Sequence, residues 1–324
     1  MVGRRRILGW VAATSVSGLA ATRAGAEGYP ARPVRMIVGF PAGGGADILT
    51  RLICDWLQLR LGQTFLVDNR PGAATNLATE AVVRAPPDGY TLLATTTSNL
   101  LNAALFDDLR YDFIRDIAPV ASLSIQPLVF AVTPSLPART VPEFIAYAKA
   151  HPGEVNIGNT GSGTISHLAA EAFKSGTGID AVTVPYRGGA AMLPDLLAGR
   201  VHAMFDNLPA YVQLVRSGGL HALAVTTVAR SDALPSVPTV GEFVQGFEAY
   251  TVAGIGAPKG TPVDVIDKLN AEINAGLADP KLRARLAELG GMALPGAPAD
   301  FAKLIARETD KWGRLIRASG IKIN

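Results

Sequence analysis

Two glycine-rich turns carry the chemistry that this chain could perform. Gly43, Gly44 and Gly45 form an unbroken run, and Gly158-Asn159-Thr160-Gly161-Ser162-Gly163-Thr164 repeats the theme about 120 residues later. A glycine turn that opens a helix leaves backbone N–H groups unpaired at the positive end of the helix dipole, a ready site for an anion. The first run alone is equally a tight strand-to-helix connection with no ligand; the second copy favours the anion cradle. Reaction motifs fail on the same residues. A phosphate-binding loop of the Walker type needs lysine where Thr164 stands, so nucleotide hydrolysis is not expected. A nucleophile elbow around Ser162 needs glycine at Thr160, and a dinucleotide fingerprint needs glycine at Ser166. What remains is an anion cradle without an attached reaction.

The other chemistry-bearing side chains are few. His151, His167, His202 and His221 show no metal-ligand spacing, and no paired-cysteine or HExxH motif occurs, so no metal site is expected. His202 and His221 flank or sit in strands and read as structural. His167 lies one turn into the helix after Thr164, where it either faces a cleft or bonds within its own lobe. Arg187, after a strand end and before two glycines, is either a surface arginine or a cleft residue. Asp206 ends an apolar strand and either caps a helix starting near Leu208 or meets a donor group on a ligand. Cys54, the single cysteine, reads as a small buried hydrophobe on the first helix.

The elements that hold these residues follow from periodicity. Val34, Met36, Ile37, Val38 and Phe40 form a buried strand, broken at Pro41. Leu49, Leu52, Ile53 and Trp56 then recur at helical spacing up to Gly62. Strands over 64–67 and 90–95 flank a short helix over 76–84, a β-α-β-α-β pattern that implies a parallel sheet with helices on its faces. Ligands in such sheets bind beyond the carboxyl ends of the strands. Two further strands are expected over 118–123 and 128–132, with a helix over 140–150. The pattern then restarts with strands at 155–157, 182–184, 201–205 and 221–226 and helices at 165–174, 190–198 and 208–216. A strand over 250–257 returns to the first lobe, and helices over 263–277, 282–289 and 299–318 close the chain. Two lobes of similar wiring, each offering a helix N-terminus at a strand end, make a cleft lined by backbone donors.

The first 26 residues read as an export signal: Arg4-Arg5-Arg6, an apolar stretch over 7–21, and a small-residue cleavage site at Ala24-Gly25-Ala26. The basic start loosely fits a twin-arginine signal, so either that route or the Sec route is open. Removing the leader's four arginines leaves 26 basic against 27 acidic residues in 298, so the formal charge of +3 departs with it. A near-neutral chain without a basic run gives no support for nucleic-acid binding.

Several ordered motifs carry a family resemblance. They are Phe40-Pro41-Ala42-Gly43-Gly44-Gly45-Ala46-Asp47, Asn69-Arg70-Pro71-Gly72-Ala73, Pro87-Asp88-Gly89-Tyr90-Thr91-Leu92 and Gly161-Ser162-Gly163-Thr164 with His167-Leu168. Val184-Pro185-Tyr186-Arg187-Gly188, Met204-Phe205-Asp206-Asn207-Leu208 and Leu234-Pro235-Ser236-Val237-Pro238-Thr239-Val240 complete the set. Across essentially the whole mature chain the sequence resembles the Bug family, the extracytoplasmic solute receptors of tripartite tricarboxylate transport systems. The resemblance implies an α/β, two-lobed periplasmic binding protein of type II-like, Venus-flytrap form, each lobe a mainly parallel sheet flanked by helices. Lobe 1 is expected to comprise residues 27–125 and 250–324, and lobe 2 residues 126–249.

It further implies a periplasmic monomer, without cofactor, that closes on a small carboxylate-bearing ligand and engages membrane transporter subunits. By the family pattern Phe40, Pro41, Ala42, Gly43, Gly44 and Ser98 form the first wall. Asn159, Ser162, Gly163, Thr164 and Asp206 form the second, with His167 and Arg187 as further candidates. Two alternatives stand beside this reading. One is a periplasmic enzyme acting on a small organic acid with His167 or Asp206 as general base; the other is a ligand sensor feeding a membrane kinase. The chain departs from the pattern at Ala74-Thr75, which stand where a second Gly-Gly is usual.

Overall fold

The computed structural model describes residues 28–319; the leader expected over residues 1–26 lies outside them. In chain order the first elements are β1 (Val34–Val38), α1 (Gly45–Leu61), β2 (Phe65–Asn69), α2 (Asn76–Val83), β3 (Thr91–Thr95), α3 (Thr97–Leu105), α4 (Phe113–Asp116) and β4 (Ile117–Val132). Next come α5 (Val141–Ala150), β5 (Val155–Asn159), α6 (Ile165–Thr177), β6 (Ala181–Pro185), α7 (Gly189–Leu197), β7 (Ala203–Asn207), α8 (Val212–Arg216) and β8 (His221–Val225). The chain ends in β9 (Tyr250–Pro258), α9 (Val263–Ala278), α10 (Pro280–Glu288), β10 (Met292–Ala293) and α11 (Pro298–Ser319). Among the described residues no helix is long and apolar enough to cross a membrane.

The strands form one continuous mixed sheet in the order β2-β1-β3-β9-β4-β7-β5-β6, with β8 and β10 also paired to β4. At one end β2, β1 and β3 run parallel, and at the other β7, β5 and β6 do. Between them β9 and β4 run antiparallel to their neighbours. Both central parallel strands are nearly free of solvent-facing residues, as a sheet covered on two faces requires.

The sequence reading divides β4 into two strands; it is one strand of 16 residues. Ser124, Gln126 and Pro127 break the apolar run, yet Ser124 and Gln126 are buried against β9, and two register shifts absorb the irregularity. Tertiary pairing overrides local propensity there. Up to Pro127 β4 pairs with β9, and from Leu128 it pairs with β7 and β8. The same strand therefore belongs to both halves of the sheet. Helices α3 and α4 and strand β10 were not expected. In α3 the helix start is set by a capping box between Thr96 and Asn99 rather than by an apolar stripe.

Each half packs helices on both sheet faces. In the first half Met36, Leu49, Ile53, Leu92 and Ile255 form one core, and Ile37, Val82, Leu93 and Phe301 form the other. In the second half Phe130 stacks on Phe205 with centroids 4.5 Å apart and meets Phe144 edge-on at 5.0 Å. Helix α11 reaches across both halves. Phe301 and Ile305 pack with Ile37, while Trp312 and Ile316 pack with the Phe130 cluster. Burial of each such side chain is worth about 1.5–3 kcal/mol, so neither end of the helix is loosely held.

Candidate functional site

Three helix N-termini converge on one cleft between the halves. Gly44, Gly45 and Ala46 at the start of α1 and Gly188, Gly189 and Ala190 at the start of α7 face a shared narrow inner chamber with about 10 Å³ of room, the space of a single water. Thr160, Asp206 and Asn207 complete its lining together with Phe40, Pro41 and Ala42. A larger outer cleft, about 1270 Å³ measured out to open solvent, adjoins it through the shared residues Phe40, Pro41, Thr160 and Gly188. Ser162 and Thr164 at the start of α6 line the outer cleft, with Arg187 as its one charged lining residue among the described residues. First-turn N–H groups of a helix have no intrahelical acceptor, so the chamber is a place where an anion is favoured.

The cradle is partly self-satisfied, which corrects the simplest picture of free N–H groups on every glycine. Asp47 sits in the first turn of α1 and takes the Gly43 N–H at 2.9 Å. Its carboxylate also accepts from Arg51 Nε and from Asn69 Nδ2, both at 2.9 Å. Burial would push the Asp47 carboxyl up, but the hydrogen bonds from Arg51, Gly43 and Asn69 outweigh it and hold it below the usual carboxylate range. The Asn69 amide also donates to Phe40 O at 2.9 Å, which fixes the first loop against β2.

In the second loop Gly163 N–H donates to His167 Nδ1 at 3.2 Å, and Gly161 N–H donates to Asn159 Oδ1 at 2.9 Å. Thr164 caps α6, its hydroxyl also donating to Gly161 O at 2.8 Å. The Asn159 amide nitrogen is buried without a partner. His167 does not line either cavity. Burial pushes its pKa below the ordinary histidine value, and the neutral ring is the form that accepts from Gly163. Ser98 is fully buried outside the lining of both cavities, and its hydroxyl accepts the Ile165 N–H at 3.3 Å, tying α3 to α6.

Asp206 does not cap the following short helix. One oxygen accepts the Asn207 N–H and the other accepts the Tyr211 hydroxyl, each at 2.7 Å. Burial beneath the α7 N-terminus pushes its carboxyl up to about 6 despite these two bonds. Asn207 bonds Thr251 Oγ1 at 2.7 Å, which joins the end of β7 to β9. Among the described residues no group of His, Cys, Asp and Glu converges as a metal site would require.

Sequence reasoning missed much of the outer wall: Pro71, Gly72, Ala73, Ala74, Thr75, Phe106 and Tyr186. The Arg70-Pro71-Gly72-Ala73 motif pointed to the region without giving it a role. The cause of the gap is visible in the backbone. Ala73, Ala74 and Thr75 all hold positive φ, at 45°, 48° and 77°. The left-handed region costs an L-residue roughly 1–2 kcal/mol, and Ala74 is kept there by a bond from the buried Asn102 amide to Ala74 O at 2.9 Å. Ala74→Gly is therefore expected to raise stability by about 0.5–1 kcal/mol after the extra unfolded-state entropy is subtracted, roughly 2 °C in a thermal melt. A fall in melting temperature would show that the loop carries no strain there.

The sequence profile of the tripartite tricarboxylate transporter family receptor, TctC, matches residues 49–321. BugT of Bordetella pertussis is 35% identical over 314 residues, covering 95% of each chain. A UPF0065 protein of Pseudomonas sp. strain P51 is 36% identical over 318 residues, covering 97% of this chain and 94% of its own. Among solved structures, Rpa4515 of R. palustris with adipate superposes with a TM-score of 0.88 at 36% identity, covering 91% of this chain and all of that one. MatC of Rhodopseudomonas palustris with bound malate gives 0.83 at 31% identity, covering 89% of this chain and all of that one. The periplasmic binding protein BugD gives 0.87 at 33%, with 91% and 100% coverage. With the profile and full-length relatives in agreement, the chain belongs to the tripartite tricarboxylate transporter receptor family.

Proposed function

We propose that this protein is a periplasmic receptor without chemistry of its own. It captures a small carboxylate-bearing ligand between residues 27–125 with 250–324 on one side and residues 126–249 on the other. The observation that carries this reading is the convergence of the α1, α6 and α7 N-termini on one cleft. A carboxylate there gains charge-assisted hydrogen bonds worth roughly 1.5–3 kcal/mol each before desolvation is subtracted. Adipate and malate in two structural relatives support the ligand class. His167 is a poor general base, because its accepting nitrogen is committed to Gly163 and it lies outside the cavity lining. The ligand-loaded form is handed to membrane subunits of a tripartite tricarboxylate system, and the leader ending near Ala26 directs export.

A ligand that also carries a second anionic group would find Arg187 at the cleft wall. That side chain is exposed and forms no ion pair among the described residues. A thermal-shift screen of the mature protein against mono-, di- and tricarboxylates, amino acids and aromatic acids tests the class. A ligand at 100 times its Kd adds about 2.7 kcal/mol, a few degrees on a protein of this size. Arg187→Ala is then expected to raise the Kd of a dicarboxylate hit about tenfold and to leave a monocarboxylate nearly unchanged. Silence across the panel together with turnover of any member would overturn the receptor reading.

A further inference from the structure

A second recognition surface lies away from the cleft, along the outer edge of β8. That strand pairs with β4 on one side. On its other side, among the described residues, its backbone pairs only at Val225, whose N–H donates to Pro238 O at 2.8 Å. Among the described residues the outer edge of His221, Ala222 and Leu223 has no backbone partner. An unpaired strand edge is a template for an added strand unless something covers it. Here a groove of about 1020 Å³, measured out to open solvent, runs beside these residues.

The charge of that groove is one-sided. Arg139, Arg216 and His221 line it, and no aspartate or glutamate does. Among the described residues neither guanidinium is neutralised by a carboxylate. Arg139 rests on the carbonyls of Leu136, Ala138 and Pro134, and Arg216 donates twice to Ala233 O, at 3.0 and 3.3 Å. The nearest acid on α5, Glu143, accepts the Arg139 backbone N–H instead. Phe243 stands at the groove with 42% of its surface exposed, an apolar seat beside the charged rim.

We infer that this groove docks an extended, acidic segment of a partner protein, which adds to the sheet beside β8. Main-chain hydrogen bonds to residues 221–223 supply the register, the arginines read the acidic side chains, and an apolar residue rests on Phe243. The surface is separate from the ligand cleft, so a partner can hold the receptor without blocking capture.

The test uses the mature protein and a fluorescein-labelled octapeptide of alternating valine and glutamate. Expected are saturable binding and slowed amide exchange confined to residues 221–224. N-methylation of alternate peptide amides, which leaves the protein untouched, is expected to weaken binding at least tenfold, as is replacing each glutamate by lysine. His221→Glu should weaken it about tenfold without lowering the melting temperature, and Arg216→Glu should weaken it about tenfold with a small fall in melting temperature, because its bonds to Ala233 O are lost. Absence of saturable binding, or equal binding of the N-methylated or lysine peptide, overturns the inference. So does a concentration-dependent dimer in sedimentation that Arg216→Glu dissociates, because the edge then serves a second copy of this chain.

Discussion

Gly188→Ala is expected to weaken ligand binding about a hundredfold, roughly 2.7 kcal/mol, while the protein still folds. Gly188 holds φ at 95° at the start of α7, and a Cβ added there would lie 2.9 Å from both Cγ and Cδ of Pro41. Real Cβ atoms do not approach ring carbons that closely, so the halves must part where they now touch. Both cavities share Pro41 and Gly188, and separating them opens the chamber that gathers the α1 and α7 N-termini. Closure around a ligand is the step that converts contact with one half into contact with both. Gly218→Ala is the matched control. It also holds a positive φ, 74°, with nothing within 4 Å of the added carbon, so it places an alanine at positive φ without a wedge. Calorimetric titration of both variants with one hit from the carboxylate panel decides the matter. Equal affinities in Gly188→Ala and the unmodified protein would mean that the Pro41–Gly188 seam has no part in capture.

The second large effect concerns Asp206, whose carboxyl is pushed up to about 6 by burial. An unfolded aspartate titrates near 3.9. Between these values the folded chain holds a proton that the unfolded chain has released. Stability from this group therefore falls as pH rises from about 4 to about 6 and stays low above it. Two units correspond to about 3 kcal/mol. Asp206→Asn keeps a polar side chain beside Tyr211 and Asn207 and removes the titration. The stability of this variant relative to the unmodified protein should climb by about 3 kcal/mol across that window and then level off. Taking the difference between the two denaturation profiles cancels the opposite trend of Asp47 and Glu171, whose carboxyls are held low. A flat difference from pH 4 to 7 would show that Asp206 ionises normally in the folded chain.

The strand, glycine turn and helix at 34–61 and at 155–177 were legible because apolar period and turn chemistry agree there. Phe40, Pro41, Ala42, Gly44, Ser162, Thr164, Arg187 and Asp206 line the cavities. Gly43, Gly163, Asn159, His167 and Ser98 do not appear in that lining. The Gly43 N–H donates to Asp47, the Gly163 N–H donates to His167, and the Ser98 hydroxyl accepts from the Ile165 N–H, and spacing alone carries no sign of such pairing. Helix α3 was hidden for a related reason. Thr97 bonds Tyr250 O and the Val252 N–H, and Asn102 bonds Ala74 O, so a polar stretch is buried where an exposed loop would be read. The outer wall at 73–75 was unreadable because non-glycine residues hold a conformation that glycine would announce.

The shared strand β4 also sets the order in which this molecule can assemble. Its first residue pairs with the far end of β9, Ile117 with Pro258, across a long stretch of intervening chain. Closing so large a loop is entropically costly before any contact rewards it, and such topologies fold slowly. Local units such as β1-α1-β2 can form early, but the middle of the sheet must wait until β9 is available. Until then the stretch of β4 from Ile117 to Pro127 lacks its β9 partner, and an unpaired strand edge of that kind favours aggregation.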